Sequence, residues 1–107
     1  MPSEQVKISP QCPIRTTLEL VGGKWKLLIL HQLNGNTLRF GELKSRLPDI
    51  SEKMLIQELK ILVRNKLVVR TNHGEVPPRV DYALTEKGKN AEDLIEAMVN
   101  FAVKYKS

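Results

Sequence analysis

The stretch that decides the fold is PDISEKMLIQELKILVRNKLVVRTNHGEVPPRVDYALT, Pro48 to Thr85. Its first half repeats apolar residues at helical spacing: Leu55, Leu59 and Leu62 form one stripe, and Ser51 stands ahead of Glu52 and Lys53 as an N-cap. This helix is expected to run to about Asn65. There the period changes. LVVRTNH and RVDYALT are β-prone and joined by GEVPP, which reads as an antiparallel hairpin.

The flanks narrow the choice. Upstream, Thr37 to Arg39 suit a very short strand, and GELKSRL, with Leu43 and Leu47 four apart, predicts a short third helix stopped by Pro48. KWKLLILHQLNG puts Trp25, Leu28, Ile29, Gln32 and Leu33 on one face of a second helix that ends at Asn34-Gly35. Pro13 suits the first turn of a first helix, in which Ile14, Leu18 and Val21 recur at four and three before Gly22-Gly23. Residues 1–11 are polar and aperiodic and are expected to form a flexible arm. Downstream, Thr85 can cap a last helix whose Ala91, Leu94, Ile95, Met98, Ala102 and Tyr105 recur at three and four. That stripe is long for a domain whose core is already enclosed. The order helix, helix, short strand, helix, helix, hairpin, helix is that of a winged helix-turn-helix: mainly α with a small β-hairpin wing, one domain over residues 12–107.

Composition sets the outer bounds. At 107 residues and 41% apolar, the chain supports one modest core. Seventeen Lys plus Arg against 12 Asp plus Glu give +5, and a pI of about 9.5 favours a polyanionic partner, nucleic acid or an anionic membrane surface. No apolar run approaches the roughly 18 to 20 residues that span a bilayer, and MPSEQVKISPQ lacks a signal peptide's apolar region, so a cytoplasmic protein is expected. One cysteine, Cys12, and two histidines, His31 and His73, offer no internal disulfide and no zinc spacing; neither metal nor cofactor is expected. Gly22-Gly23 lacks any phosphate-loop spacing and reads as a turn, Trp25 as core, and His31 as a surface or helix-packing residue.

The candidate DNA-reading surface lies on the fourth helix. Lys53, Gln57, Lys60 and Arg64 are separated by four, three and four residues and share a face roughly opposite the leucine stripe. In helix-turn-helix docking the amino-terminal half of the second helix enters the major groove. Ser51, Lys53 and Gln57 would then meet phosphates or base edges, Gln57 pairing with adenine, while Lys60 and Arg64 hold phosphates. Glu58 is expected to face away from the DNA backbone or to read cytosine. A solvated helix face is commonly charged, so the stripe alone also fits an ordinary surface. In the wing, Pro77-Pro78 stiffens the arm that carries Arg79 toward the minor groove or its flanking phosphates, with Arg70 and His73 as further donors. The same prolines also suit blocking edge pairing of an exposed hairpin.

The segments CPI, GGKWKLLIL, LRFGELKSRLPDISEKMLIQELKIL, LVVR and EVPPRVDYALTEKG resemble the HxlR family of bacterial winged helix-turn-helix transcription regulators, relatives of the MarR group, over residues 12–105. The resemblance implies a homodimer on a double-stranded DNA operator, read by the fourth helix and wing and dimerised by the first and last helices, 12–22 and 86–106. It puts Ser51, Lys53 and Gln57 on the recognition helix, Arg79 on the wing, and Arg39 as a backbone contact before the third helix. Ile56 departs from the pattern, since the family often has a small polar residue there. Ile14, Leu18, Leu94, Ile95, Met98, Phe101 and Tyr105 would form the dimer interface. Two recognition helices about 34 Å apart would then require a near-palindromic site. The alternative is a last helix that packs on its own domain.

Some members of the family sense oxidants through a cysteine at the start of the first helix, just before Pro. Cys12 holds that place, where a helix amino terminus favours an anion and Arg15 and Lys7 add positive charge. Its oxidation, or an intersubunit disulfide, would shift the two reading heads. It also fits a small buried apolar residue. An effector is expected to act at the dimer interface or through Cys12. Beside the dimeric regulator stands one rival, a protein-interaction winged helix without DNA binding. An enzyme is disfavoured because no nucleophile–base or metal spacing is present.

Overall fold

The computed structural model describes residues 9–107. The expected arm therefore lies, over residues 1–8, outside the described residues, as does Lys7. Among the described residues nine elements follow one another: α1 (Pro13–Val21), α2 (Lys26–Leu33), β1 (Leu38–Arg39), α3 (Phe40–Arg46), α4 (Glu52–Arg64), β2 (Val68–Asn72), β3 (Val80–Leu84), α5 (Glu86–Lys89) and α6 (Ala91–Lys106). This is the expected winged helix-turn-helix. Pro13 opens α1, and Ser51 caps α4 by accepting the Met54 backbone N–H at 3.1 Å.

The core is built where the leucine stripes converge. Leu55, Leu59 and Leu62 of α4 pack with Ile29, Leu30 and Leu33 of α2, Leu43 of α3 and Val68 of β2. One face assignment needs correction: α2 buries Leu30 and leaves Leu28 exposed. A helix packed against α6, α3 and β3 buries a wider arc than a single stripe.

The sharp passage from α4 to the wing rests on two backbone features. Lys66 takes a left-handed conformation (φ 62°) directly after the helix, and the Leu67 N–H donates to Leu62 O at 3.0 Å. Thr85 then ties both ends of the wing together, its hydroxyl donating to Lys66 O at 2.6 Å and accepting from Gly88 N at 3.0 Å. At Gly88 an added Cβ would collide with the Leu67 carbonyl, so this position admits only glycine.

Two further expectations are refined. The hairpin is part of a three-stranded antiparallel sheet in the order β1-β3-β2, with Leu38 opposite Tyr82 and Arg70 opposite Tyr82 from the other side. A two-residue strand has no period of its own to announce that pairing. The last helix is two helices: Thr85 caps the single turn α5, and α6 restarts at Ala91. Gly88 and Asn90, poor helix formers, mark the joint.

Candidate nucleic-acid interface

Lys53, Gln57, Lys60 and Arg64 are all exposed along one side of α4, with Ser51 exposed at its N-cap, while Leu55, Leu59 and Leu62 are buried on the other side. The helical period thus brings together Lys53, Gln57, Lys60 and Arg64, four of the residues expected to meet DNA, while Ser51 stands exposed at the helix start. Ser51 has a second task, since its oxygen already caps the helix. The carboxylate of Glu58 is not among the exposed groups. It turns into the domain, where Lys26 Nζ donates to its two oxygens at 3.1 and 3.3 Å. Glu58 is the one buried charged residue among the described residues. Its expected alternative as a reader of cytosine is therefore incorrect: a carboxylate held by an internal ammonium is not available to a base edge. In charge terms, the outward stripe keeps its cations and loses an acid.

Glu58 falls three residues after Leu55 and four before Leu62, so the helical period already puts it on the buried face. Lys26, 32 residues away, carries no sequence signal that would name it as the partner.

Arg39 is exposed but is not brought to the α4 stripe. It lies opposite Asp81 in the sheet, on the face away from Leu38 and Tyr82, and its backbone N–H donates to Glu42 Oε1 at 2.8 Å to start α3. In the wing, Arg79 is half-buried between acids: its Nε is 3.8 Å from Glu75 Oε1 and 3.9 Å from Asp81 Oδ2. His73 Nε2 lies 2.7 Å from the same Asp81 oxygen, and the His73 N–H donates to Arg79 O at 3.0 Å. Gly74, at φ +66°, makes the turn, and Asn72 Oδ1 accepts its N–H at 2.9 Å. Arg79 and His73 are thus held near carboxylates, whereas Arg70 projects from the α4 side of the sheet.

A second surface is apolar. On α1, Ile14 and Leu18 (62% exposed) stand in solvent, and on α6 so do Met98, Phe101 (73%) and Tyr105 (80%). Ile95 is half-buried, and Leu94 packs on the domain's own core. Every residue from 96 to 107 is exposed. Cys12, at the start of α1, is 2% exposed although Pro13 through Glu19 are all exposed. His31 bridges α2 to α6, its Nδ1 3.1 Å from Glu92 Oε1, and Trp25 packs against the core with Lys24 Nζ 4.8 Å from its ring centre. No helix among the described residues is long and apolar enough to cross a membrane.

Comparison with known proteins gives one consistent result. The model of the HxlR-like helix-turn-helix family matches residues 20–107. The HTH-type transcriptional regulator YdeP of Bacillus subtilis (strain 168) is 40% identical over 95 residues, covering 89% of this chain and 74% of YdeP. A crystal structure of a MarR-family protein from Porphyromonas gingivalis W83 superposes with a TM-score of 0.84 at 45% identity, over 91% of this chain and 96% of that one. The redox regulator HypR in its oxidized form superposes with a TM-score of 0.80 at 33% identity, over 87% of this chain and 96% of HypR.

Proposed function

Because the chain belongs to the HxlR-like helix-turn-helix family of transcriptional regulators, we propose that it binds a near-palindromic operator on double-stranded DNA as a homodimer in the cytoplasm, and acts as a regulator, not as an enzyme. The observation that carries this reading is the exposed α4 stripe of Lys53, Gln57, Lys60 and Arg64, led by Ser51 at the N-cap, from which the Glu58 carboxylate has been withdrawn. Lys53 and Gln57 enter the major groove, Lys60 and Arg64 hold phosphates, and Arg39 and Arg79 contact the flanking backbone. The test is fluorescence anisotropy with a duplex from upstream of the chain's own gene, titrated against salt and against a scrambled duplex. Preference for the upstream duplex with a steep salt dependence is expected, each neutralised phosphate adding about 0.9 to the slope. Failure to bind any duplex would move the assignment to a protein-interaction module.

The domain spans residues 12–107 after an arm over 1–11, with 12–22 and 86–106 as dimerisation segments. The exposed Ile14, Leu18, Met98, Phe101 and Tyr105 line the joint, with the half-buried Leu94 and Ile95 at its inner edge, where Leu94 also packs on its own core. Support comes from α6, whose residues 96–106 are all exposed with Phe101 and Tyr105 uncovered; helical stability comes mostly from burying an apolar face, which this segment does not do within its own domain. Sedimentation should give a dimer, and Phe101→Glu a monomer. A wild-type monomer at micromolar concentration would reject the arrangement.

Cys12 is the oxidant-responsive residue of the proposal. HypR, a redox regulator of closely similar fold, supports this reading. Cys12 is 2% exposed at the start of α1, whose residues 13–19 are all exposed, so reaction with an oxidant requires the chain at the helix start to move. Two such thiols from two subunits would form a disulfide, passing two electrons and two protons to an oxidant such as diamide. Cys12→Ser should leave reduced-state DNA affinity unchanged and remove the diamide response. A response that survives the substitution eliminates Cys12 as the sensor.

A further inference from the structure

Two apolar side chains of α4 stand in water beside its polar stripe: Ile56 is 41% exposed and Met54 37%. Their settings differ. Ile56 follows Lys53 by three residues and precedes Lys60 by four, so both cations are its neighbours on the helix surface. Met54 follows the N-cap Ser51 by three and precedes the buried Glu58 by four, which puts it at the edge of the stripe. Helix propensity does not favour isoleucine at position 56. A β-branched residue is a weaker helix former than lysine or glutamine, and one left part exposed gives up some of the burial that would offset this.

We propose that Ile56 is a specificity-determining residue, the apolar reader of a thymine C5-methyl group in the major groove. The assignment rests on the DNA reading above. When Lys53 and Lys60 engage DNA, the side chain between them is carried into the groove and loses its water. Base edges there offer hydrogen-bond donors and acceptors, which Ile56 cannot answer, and one apolar group, the thymine methyl, which it can. Glu52, exposed four residues before Ile56, disfavours phosphate on this flank of the helix and leaves base edges as the partner. A stiff β-branched side chain also has little rotamer freedom to lose, so the methyl is read from a fixed position. Gln57 follows directly with the amide expected to pair with adenine, which gives the helix one apolar and one polar reader at adjacent positions. In a symmetric dimer each half-site then carries one such thymine.

The experiment takes the reduced full chain and a library of randomised duplexes, from which bound sequences are selected and read. Each thymine of the selected site is then replaced in turn by deoxyuridine, which removes the methyl and leaves every hydrogen-bonding group in place. Wild type should lose affinity about fourfold at one thymine of each half-site, the effect of one methyl group kept from water. Ile56→Ser should bind the site more weakly with an unchanged salt slope and be indifferent to that replacement, whereas Ile56→Val should keep the thymine preference. The deoxyuridine series is read first on wild type, so a misfolded variant can neither create nor hide the effect. A selected site with no thymine, or one whose thymines all tolerate deoxyuridine, would overturn the assignment and leave the DNA reading intact. So would a methyl effect that persists in Ile56→Ser, or one that Met54→Ala abolishes instead. A library that yields no enriched duplex would overturn the DNA reading and this assignment together.

Discussion

The recognition helix and the wing handle their acids in opposite ways. On α4, Glu58 is drawn beneath the surface and neutralised by Lys26, so the outward stripe presents Lys53, Lys60 and Arg64 without it. On the wing, Glu75 and Asp81 stay beside Arg79, and Asp81 also holds His73. The difference follows from architecture. A helix with a core behind it has an interior in which an acid can meet a counter-ion. The outer part of a two-stranded arm has none, and residues 71–78 are all exposed. A cation on the helix therefore acts at nearly full strength on an approaching phosphate, and one on the wing acts against carboxylates already beside it.

The largest effect is expected where the buried acid is stranded. Lys26→Met leaves the Glu58 carboxylate buried without its partner and should lower stability by about 3–5 kcal/mol in urea unfolding. The double change Lys26→Met with Glu58→Leu should recover most of that, since an apolar pair replaces a desolvated ionic one. A loss below about 1 kcal/mol in the single variant would mean that Glu58 escapes to solvent, and the contrast with the wing would disappear.

Next come the free cations of the helix. Lys60→Ala and Arg64→Ala should each weaken operator and scrambled duplex alike and reduce the salt slope by about 1, the signature of a lost phosphate contact. Gln57→Ala should differ in kind, reducing discrimination at one position by about 1–3 kcal/mol with the salt slope unchanged. If Gln57→Ala changed only the slope, its role as a base reader would be lost.

How much of this was legible beforehand depends on the range of the interaction. The leucine stripe of α4, the Ser51 cap and the turn into the hairpin are written in spacings of a few residues, and the structure has them in place. The exposed set Lys53, Gln57, Lys60 and Arg64 follows from the same period. What escaped depends on tertiary packing. Lys26 and Glu58 meet across 32 residues, and β1 is too short to show a pattern. The wing's acids were visible in sequence, but their approach to Arg79 depends on a turn at Gly74 that folds the tip back.

The smallest expected effects lie on that turn and test the comparison most closely. Arg79 sits 3.8 Å from Glu75 in a pair open to solvent, and such pairs contribute about 0.2–1 kcal/mol. Glu75→Gln removes one acid beside Arg79 without emptying the site, so DNA affinity should rise by about threefold at low salt, with the gain fading as ionic strength screens it. Arg79→Ala should cost less affinity than Arg64→Ala, because the lost cation was already partly offset by Glu75 and Asp81. Paired anisotropy titrations of the two arginine variants decide the matter. Equal losses would mean that the wing's carboxylates move away when DNA arrives, making their contact with Arg79 a property of the unbound chain.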